Sequence, residues 1–140
     1  MQIIGFNLTK ISVERKEKTE GKIEVKQNIN IDNISKDKIN ISEKEIIKLD
    51  FTFNVDYNPE FAKVELKGQT ILLPEKEELK EIIKAWKKKE LSEKFRIPLF
   101  NFIMSKCNIK ALNLEDEMAL PLHIPMPKLS PKNQETQQAP

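Results

Sequence analysis

Apolar residues recur at every second position through the first half of the chain and at helical spacing through most of the second. Between Gln2 and Arg15 they fall at Ile4, Phe6 and Leu8 and resume at Ile11 and Val13, so the alternation changes phase once near Lys10. A strand interrupted by a β-bulge produces such a shift. From Lys22 to Asp32, Ile23, Val25, Ile29 and Ile31 share one parity and Glu24, Lys26, Asn28 and Asn30 the other, the pattern of a half-buried antiparallel strand. The clearest strand runs from Lys48 to Tyr57, where Leu49, Phe51, Phe53, Val55 and Tyr57 alternate with Asp50, Thr52, Asn54 and Asp56. Asn58-Pro59-Glu60 then breaks the pattern with turn chemistry, because proline fixes φ and lacks an amide donor. A fourth strand is expected over Phe61 to Leu73, with Ala62, Val64 and Leu66 in register and Gly68 marking a bulge or a close approach. The expected pairing is two hairpins, one turning around Glu17 to Gly21 and one around Asn58, with the polar stretch Ser35 to Lys44 crossing between them.

Beyond Pro74 the period lengthens. Leu79, Ile82, Ile83 and Trp86 stand at i, i+3, i+4 and i+7, which predicts an amphipathic helix over Glu75 to Lys89. Lys87 to Lys89 close it favourably at the negative end of its dipole. A second helix is expected over Ile97 to Met118, with Pro98 in the first turn where proline costs little. Phe100, Ile103, Met104, Cys107, Ala111, Leu114 and Met118 line one face of it, and about 20 residues give a rod of roughly 30 Å, enough to cover a four-stranded sheet. The segment Leu120-Pro121-Leu122-His123-Ile124-Pro125-Met126-Pro127 follows, extended, apolar and spaced by prolines. The predicted fold class is α+β: a four-stranded antiparallel sheet of two hairpins packed by a short and a long C-terminal helix. It forms a single domain over residues 1–130, with 131–140 as a polar, disordered tail.

Composition narrows the function. The chain of 140 residues is 39% hydrophobic and 33% charged with a formal net charge of +2, so abundant charge is nearly balanced and exerts no strong pull on nucleic acid or anionic lipid. Cys107 is the single cysteine, which excludes an internal disulfide and gives no sign of an oxidising compartment. No apolar run approaches the roughly 20 residues that span a bilayer, and Met1 to Lys10 lacks a basic stretch followed by an apolar core. A cytoplasmic protein without a membrane span is expected.

Candidate chemistry is sparse. His123, the only histidine, lies between prolines without a second histidine or a cysteine beside it, so no metal set forms. Glu115, Asp116 and Glu117 are adjacent on a helix and diverge, which makes them structural or solvated. Cys107 falls on the apolar face with Ile103 and Ala111, where a thiol behaves as a small hydrophobe. Gly5, Gly21 and Gly68 are too scattered for a phosphate-cradling loop. Lys84, Lys87, Lys88 and Lys89 cluster beside Trp86 and could meet a phosphate backbone with aromatic stacking, but Glu75, Glu77, Glu78, Glu81 and Glu90 surround them. A solvated face outweighs nucleic-acid binding there, and no enzyme and no cofactor are expected.

The order of elements resembles a known family. The segment Asn7-Leu8-Thr9-Lys10-Ile11-Ser12-Val13, the charged strand from Lys22 to Asp32, the strands Lys48 to Tyr57 and Phe61 to Leu73, the helix start Pro98-Leu99-Phe100 and the exit Leu120-Pro121 are similar to the bacterial protein-export chaperone SecB over roughly residues 3 to 127. In that family a "KDISFE"-like strand leads into a four-stranded sheet, a helix opens with an "LFPY"-like motif, and a "PPL-L-P" segment follows. Here Pro98 precedes Leu99-Phe100, and Glu75 to Leu91 is longer than the family's link between sheet and helix. The resemblance implies an ATP-free holdase, a homo-oligomer of dimers or tetramers, whose apolar grooves hold unfolded or extended polypeptide in the service of protein export.

The expected function is therefore non-enzymatic polypeptide binding. Phe51, Phe53, Tyr57, Leu99, Phe102, Leu120, Leu122, Ile124 and Met126 are the candidate contacts to an extended client, since thioethers and rings adapt to many shapes. Two other readings come from different classes. One is an RNA- or ribosome-associated module using the Trp86/lysine cluster; the other is a structural subunit whose proline-spaced segment docks on a fixed partner.

Overall fold

A computed structural model describes residues 1–19, 21–39, 44–127, 129 and 131. Four strands, β1 (Gln2–Arg15), β2 (Glu24–Lys38), β3 (Glu45–Asn58) and β4 (Ala62–Leu73), precede two helices, α1 (Lys76–Lys87) and α2 (Glu93–Glu117). The architecture is the expected α+β one, a four-stranded antiparallel sheet with a short and a long helix. The tail expected at Lys132 to Pro140 lies outside the described residues.

Strand order is β1-β4-β3-β2, a Greek-key arrangement in which β2, β3 and β4 form a meander and β1 returns beside β4. The hairpin expected around Glu17 to Gly21 is not formed. β1 and β2 are instead the two edge strands of the sheet, and the first hairpin is β2–β3. Burial explains the order: β3 and β4 alternate so completely that one face of each is fully buried, and such strands belong at the centre. Ser35 to Lys38, expected in a crossing loop, continue β2 and pair with Lys48 to Glu45. A bulge between Ile31 and Asn33 reverses the parity, so Ile34 joins Ile29 and Ile31 on the inner face and is 5% exposed. The turn at Asn58-Pro59-Glu60 stands as expected, with a cis Asn58-Pro59 bond and the Phe61 amide donating to the Tyr57 carbonyl over 2.9 Å.

In β1 the phase change near Lys10 is a bulge between Leu8 and Lys10. A second bulge between Ile3 and Gly5 turns Ile3 inward, where it packs on the core, and leaves Ile4 47% exposed. Gly68 is the expected close approach: a Cβ there would lie 2.6 Å from the Asn7 carbonyl oxygen and 2.7 Å from Phe51 Cζ. The outer face of the central strands is polar, carrying Asp50, Thr52, Asn54 and Asp56 opposite Lys63, Glu65, Lys67 and Gln69, so water covers it. The Glu65 carboxylate accepts from Lys10 Nζ at 2.6 Å, and this bond above all holds it below the ordinary carboxylate range.

The inner face of the sheet meets the helices. Leu49, Phe51, Phe53, Val55 and Tyr57 from β3, with Val64, Leu66 and Leu72 from β4, join Leu99, Ile103, Cys107, Ala111 and Leu114 from α2 in one core. Helix α1 approaches β2 and α2 approaches β4, and Phe102 reaches β1, edge-on to Phe6 at 5.8 Å between ring centres. Helix α2 begins earlier than expected because Ser92 provides the entry: its carbonyl accepts from Phe95 N at 3.1 Å and from Arg96 N at 2.8 Å. Pro98 thus sits inside the helix, where it forgoes one backbone hydrogen bond.

One core hydroxyl lacks a partner. Thr70, opposite Phe6 and Leu49, is fully buried, and its hydroxyl makes no hydrogen bond among the described residues. Valine has the same shape without the desolvated hydroxyl, so Thr70→Val is expected to raise unfolding free energy by about 1 kcal/mol, read from urea denaturation. A loss of stability would show that the hydroxyl has a bonding partner.

Candidate functional site

The buried stripe of α2 runs Leu99, Ile103, Cys107, Ala111 at four-residue intervals, and the next position in the row is Glu115. Its carboxylate is completely buried, as is the Cys107 thiol, whose pKa burial pushes up to about 12. Cys107 is inert packing. Glu115 is not: its Oε1 accepts the His123 backbone N–H at 3.0 Å, and His123 Nδ1 lies 2.9 Å from Oε1 and 2.7 Å from Oε2. The far ring nitrogen, Nε2, is 2.8 Å from the side-chain amide oxygen of Asn108. The His123 side chain is 1% exposed and lies edge-on to Phe53, 6.1 Å between ring centres.

Local sequence brings His123 back to α2. The helix ends with Met118 as its cap and Ala119 in the left-handed region at φ 51. Leu120 N donates to the Glu115 carbonyl at 2.8 Å and Ala119 N to the Asp116 carbonyl at 3.2 Å, the paired bonds of a Schellman motif. Arg15 of β1 caps the same end, donating to the Met118 carbonyl at 2.8 Å and the Ala119 carbonyl at 3.1 Å, while its guanidinium lies 5.0 Å from the Phe61 ring centre. The Tyr57 hydroxyl donates to the Pro121 carbonyl, and burial, with the nearby Glu115 carboxylate, raises its pKa well above the ordinary phenol value. Leu120 to Ile124 therefore form a strap pinned onto β3 and the end of α2.

The Glu115–His123–Asn108 trio contains an acid and an imidazole, but both side chains are closed off from solvent and their polar atoms hold backbone and each other. What it does chemically is fix the strap. No group of three or more acidic, histidine or cysteine residues is arranged to hold a metal ion among the described residues.

The nine expected polypeptide contacts separate into two sets. Phe51, Phe53, Tyr57, Leu99 and Leu120 are core residues, each 5% exposed or less. Their alternation and spacing signalled burial, and one apolar face of a sheet under a helix uses all of them, so as candidate contacts they are corrected. Phe102 and Ile124 are half-buried, while Leu122 and Met126 are exposed. Besides these four, Ile97 and Ile109 of α2 are 51% and 72% exposed, and Leu129 67%. Phe100, Met104 and Leu112 are half-buried on α2. Helix α2 is apolar on more than the side it buries.

The sequence reading missed Glu115. The available signal was its place, four residues after Ala111, as the continuation of a fully apolar row.

No family model and no curated protein matches the sequence. The structure does have a counterpart: a Mycobacterium tuberculosis SecB-like chaperone, Rv1957, solved in complex with a ChAD peptide from the Rv1956 HigA1 antitoxin. The two superpose with a TM-score of 0.54 at 16% sequence identity, over 92% of this chain and 87% of that one. The chain has a SecB-like fold. At that identity the likeness establishes architecture, and the peptide belongs to the mycobacterial protein. No helix among the described residues is long and apolar enough to cross a membrane.

Proposed function

We propose that this chain is a non-enzymatic holdase that binds unfolded or extended polypeptide, with Phe102, Leu122, Ile124 and Met126 among its contacts. The observation that carries the reading is the surplus of apolar side chains left outside a complete core. Leu122 on the strap, Met126 just beyond it, and Ile97 and Ile109 on α2 remain open to water, although the sheet already has its cover. Large apolar side chains gathered on two adjoining elements mark an interaction surface, and Met with Phe suits clients of varied sequence. A SecB-like fold supports the same reading. The proposal extends to a homo-oligomeric, cytoplasmic protein linked to protein export.

Nucleic-acid binding through the Trp86/lysine cluster has less support. The Lys89 ammonium lies 3.7 Å from the centre of the Trp86 ring, and the ring also packs on the core, so the surface a base would stack on is occupied.

The test is light scattering from a reporter protein refolding out of denaturant. Stoichiometric chain is expected to suppress aggregation, and Leu122→Ser with Met126→Ser to weaken client binding about tenfold, given roughly 1 kcal/mol or more per apolar side chain no longer buried. Refolding that proceeds identically with and without the wild-type chain would end the holdase reading.

A further inference from the structure

Helix α1 sorts its charges. Lys76, Lys80 and Lys84 recur every four residues and Lys87 follows at three, so their ammonium groups form one row, with Glu77 and Glu81 turned to its side. Like charges at this spacing repel. Among the described residues none of the four lysines lies within ion-pair distance of a carboxylate. A helix with this many glutamates could have interleaved the two signs, and this one keeps them apart.

The row forms one wall of a groove of about 480 Å³, and Lys36 from β2 lies on the opposite wall. Leu79 and Ile83 supply its apolar floor. Among the described residues Glu45 is the only acid lining it, and its carboxylate is 3.6 Å from Lys36. Five lysines thus face one glutamate, in a chain whose whole formal charge is only +2. The groove shares no lining residue with the strap.

We infer that the α1–β2 groove docks an acidic segment of a partner polypeptide, in which carboxylates flank an apolar side chain. The walls match carboxylates in sign and the floor matches an apolar residue; a volume of this size takes a few side chains. Charge complementarity of this kind sets partner choice and association rate. A nucleic acid matches the walls but leaves the apolar floor unused, and the covered Trp86 ring offers it no stacking platform. The site is additional to the holdase surface and stands or falls separately from it.

Trp86, the only tryptophan, lies on the same helix and reports binding by its fluorescence. The probes are a synthetic peptide of about ten residues alternating Glu and Leu, its Gln/Leu counterpart, and an oligouridylate of equal charge. With the full chain, the Glu/Leu peptide is expected to bind at least about tenfold more tightly than the Gln/Leu one, and to weaken as salt rises from about 0.05 to 0.5 M. Lys80→Glu with Lys84→Glu is expected to abolish that binding while leaving aggregation suppression of the reporter unchanged. Lys80→Gln with Lys84→Gln, which preserves helix propensity, gives a partial loss and guards against misfolding of the reversed-charge variant. Equal affinity for the two peptides, indifference to both lysine variants, or oligouridylate binding as tight as the acidic peptide overturns the proposal.

Discussion

Gly68→Ala is expected to destabilise the chain by about 3 kcal/mol, at the upper end of what overpacking costs, and to lower its melting temperature by about 10 °C. Gly68 lies in β4 with Leu8 of β1 on one side and Phe51 of β3 on the other. The added methyl would stand 2.6 Å from the Asn7 carbonyl oxygen and 2.7 Å from Phe51 Cζ. A flexible side chain could move aside, but the carbonyl is fixed by the sheet and the Phe51 ring is stacked on Phe6 at 5.6 Å between centres. Relief must come from prising β1 away from β4. Gly5 provides the comparison: there the nearest atom is Ile71 Cγ1 at 3.1 Å, a side chain able to turn, so Gly5→Ala costs less than half as much. Pairing Gly68→Ala with Phe51→Leu removes the ring clash and leaves the carbonyl, so it recovers only part of the loss. Thermal melts that leave Gly68→Ala level with wild type would mean that Phe51 does not lie across the glycine.

The same position shows how far the sequence could be read. A glycine inside an alternating strand pointed to a close approach because only a missing side chain explains it, and the structure has that approach. Alternation through Phe51, Phe53, Val55 and Tyr57 located β3 within a few residues, as both of its faces were unambiguous. Pairing was another matter. Period-two patterns say which side of a strand is buried and nothing about its neighbour, so β1 was assigned to β2 when burial on both flanks reserves β4 for it. Bulges hid the rest: the extra residue at Asp32 flips the parity of Ile34, which made the second half of β2 look like polar loop.

Candidate site residues were legible in proportion to how little they packed. The proline-spaced strap announced itself by composition, and Leu122 and Met126 are indeed at the surface. Phe51, Phe53 and Tyr57 looked equally available because size and greasiness are common to core and interface, and only the third dimension separates them. Glu115 with His123 was invisible for a different reason. The two are eight residues apart across a helix end, and the reversal that joins them depends on Ala119 adopting a left-handed backbone without the glycine that usually marks it.

His123→Ala is expected to cost about 3 kcal/mol and to release the strap, because removing the ring leaves a buried carboxyl group without its side-chain partner. Glu115 is fully buried and loses the ring nitrogen that bonds its Oε1 at 2.9 Å and lies 2.7 Å from Oε2, while Asn108 loses the nitrogen opposite its amide. The penalty has a ceiling. Once it exceeds the cost of peeling Leu120 to Ile124 from the surface, the strap detaches, water reaches the carboxylate and the remaining domain stays folded. Two measurements register this: urea denaturation reads the stability loss, and amide hydrogen exchange reads lost protection at Leu120 and His123, whose N–H groups bond to Glu115. Adding Glu115→Leu to His123→Ala removes the stranded carboxyl group, so the double variant should be more stable than the sum of the singles by at least about 1 kcal/mol. On the proposed function binding weakens as well. The strap carries Leu122 and Ile124 and lies against Phe53 through His123 and against Tyr57 through Pro121, so its release scatters two of the proposed contacts and lowers affinity for an unfolded client. A His123→Ala chain with undiminished amide protection and unchanged stability would show that the Glu115 carboxyl does not depend on the ring and that the strap is held by packing alone.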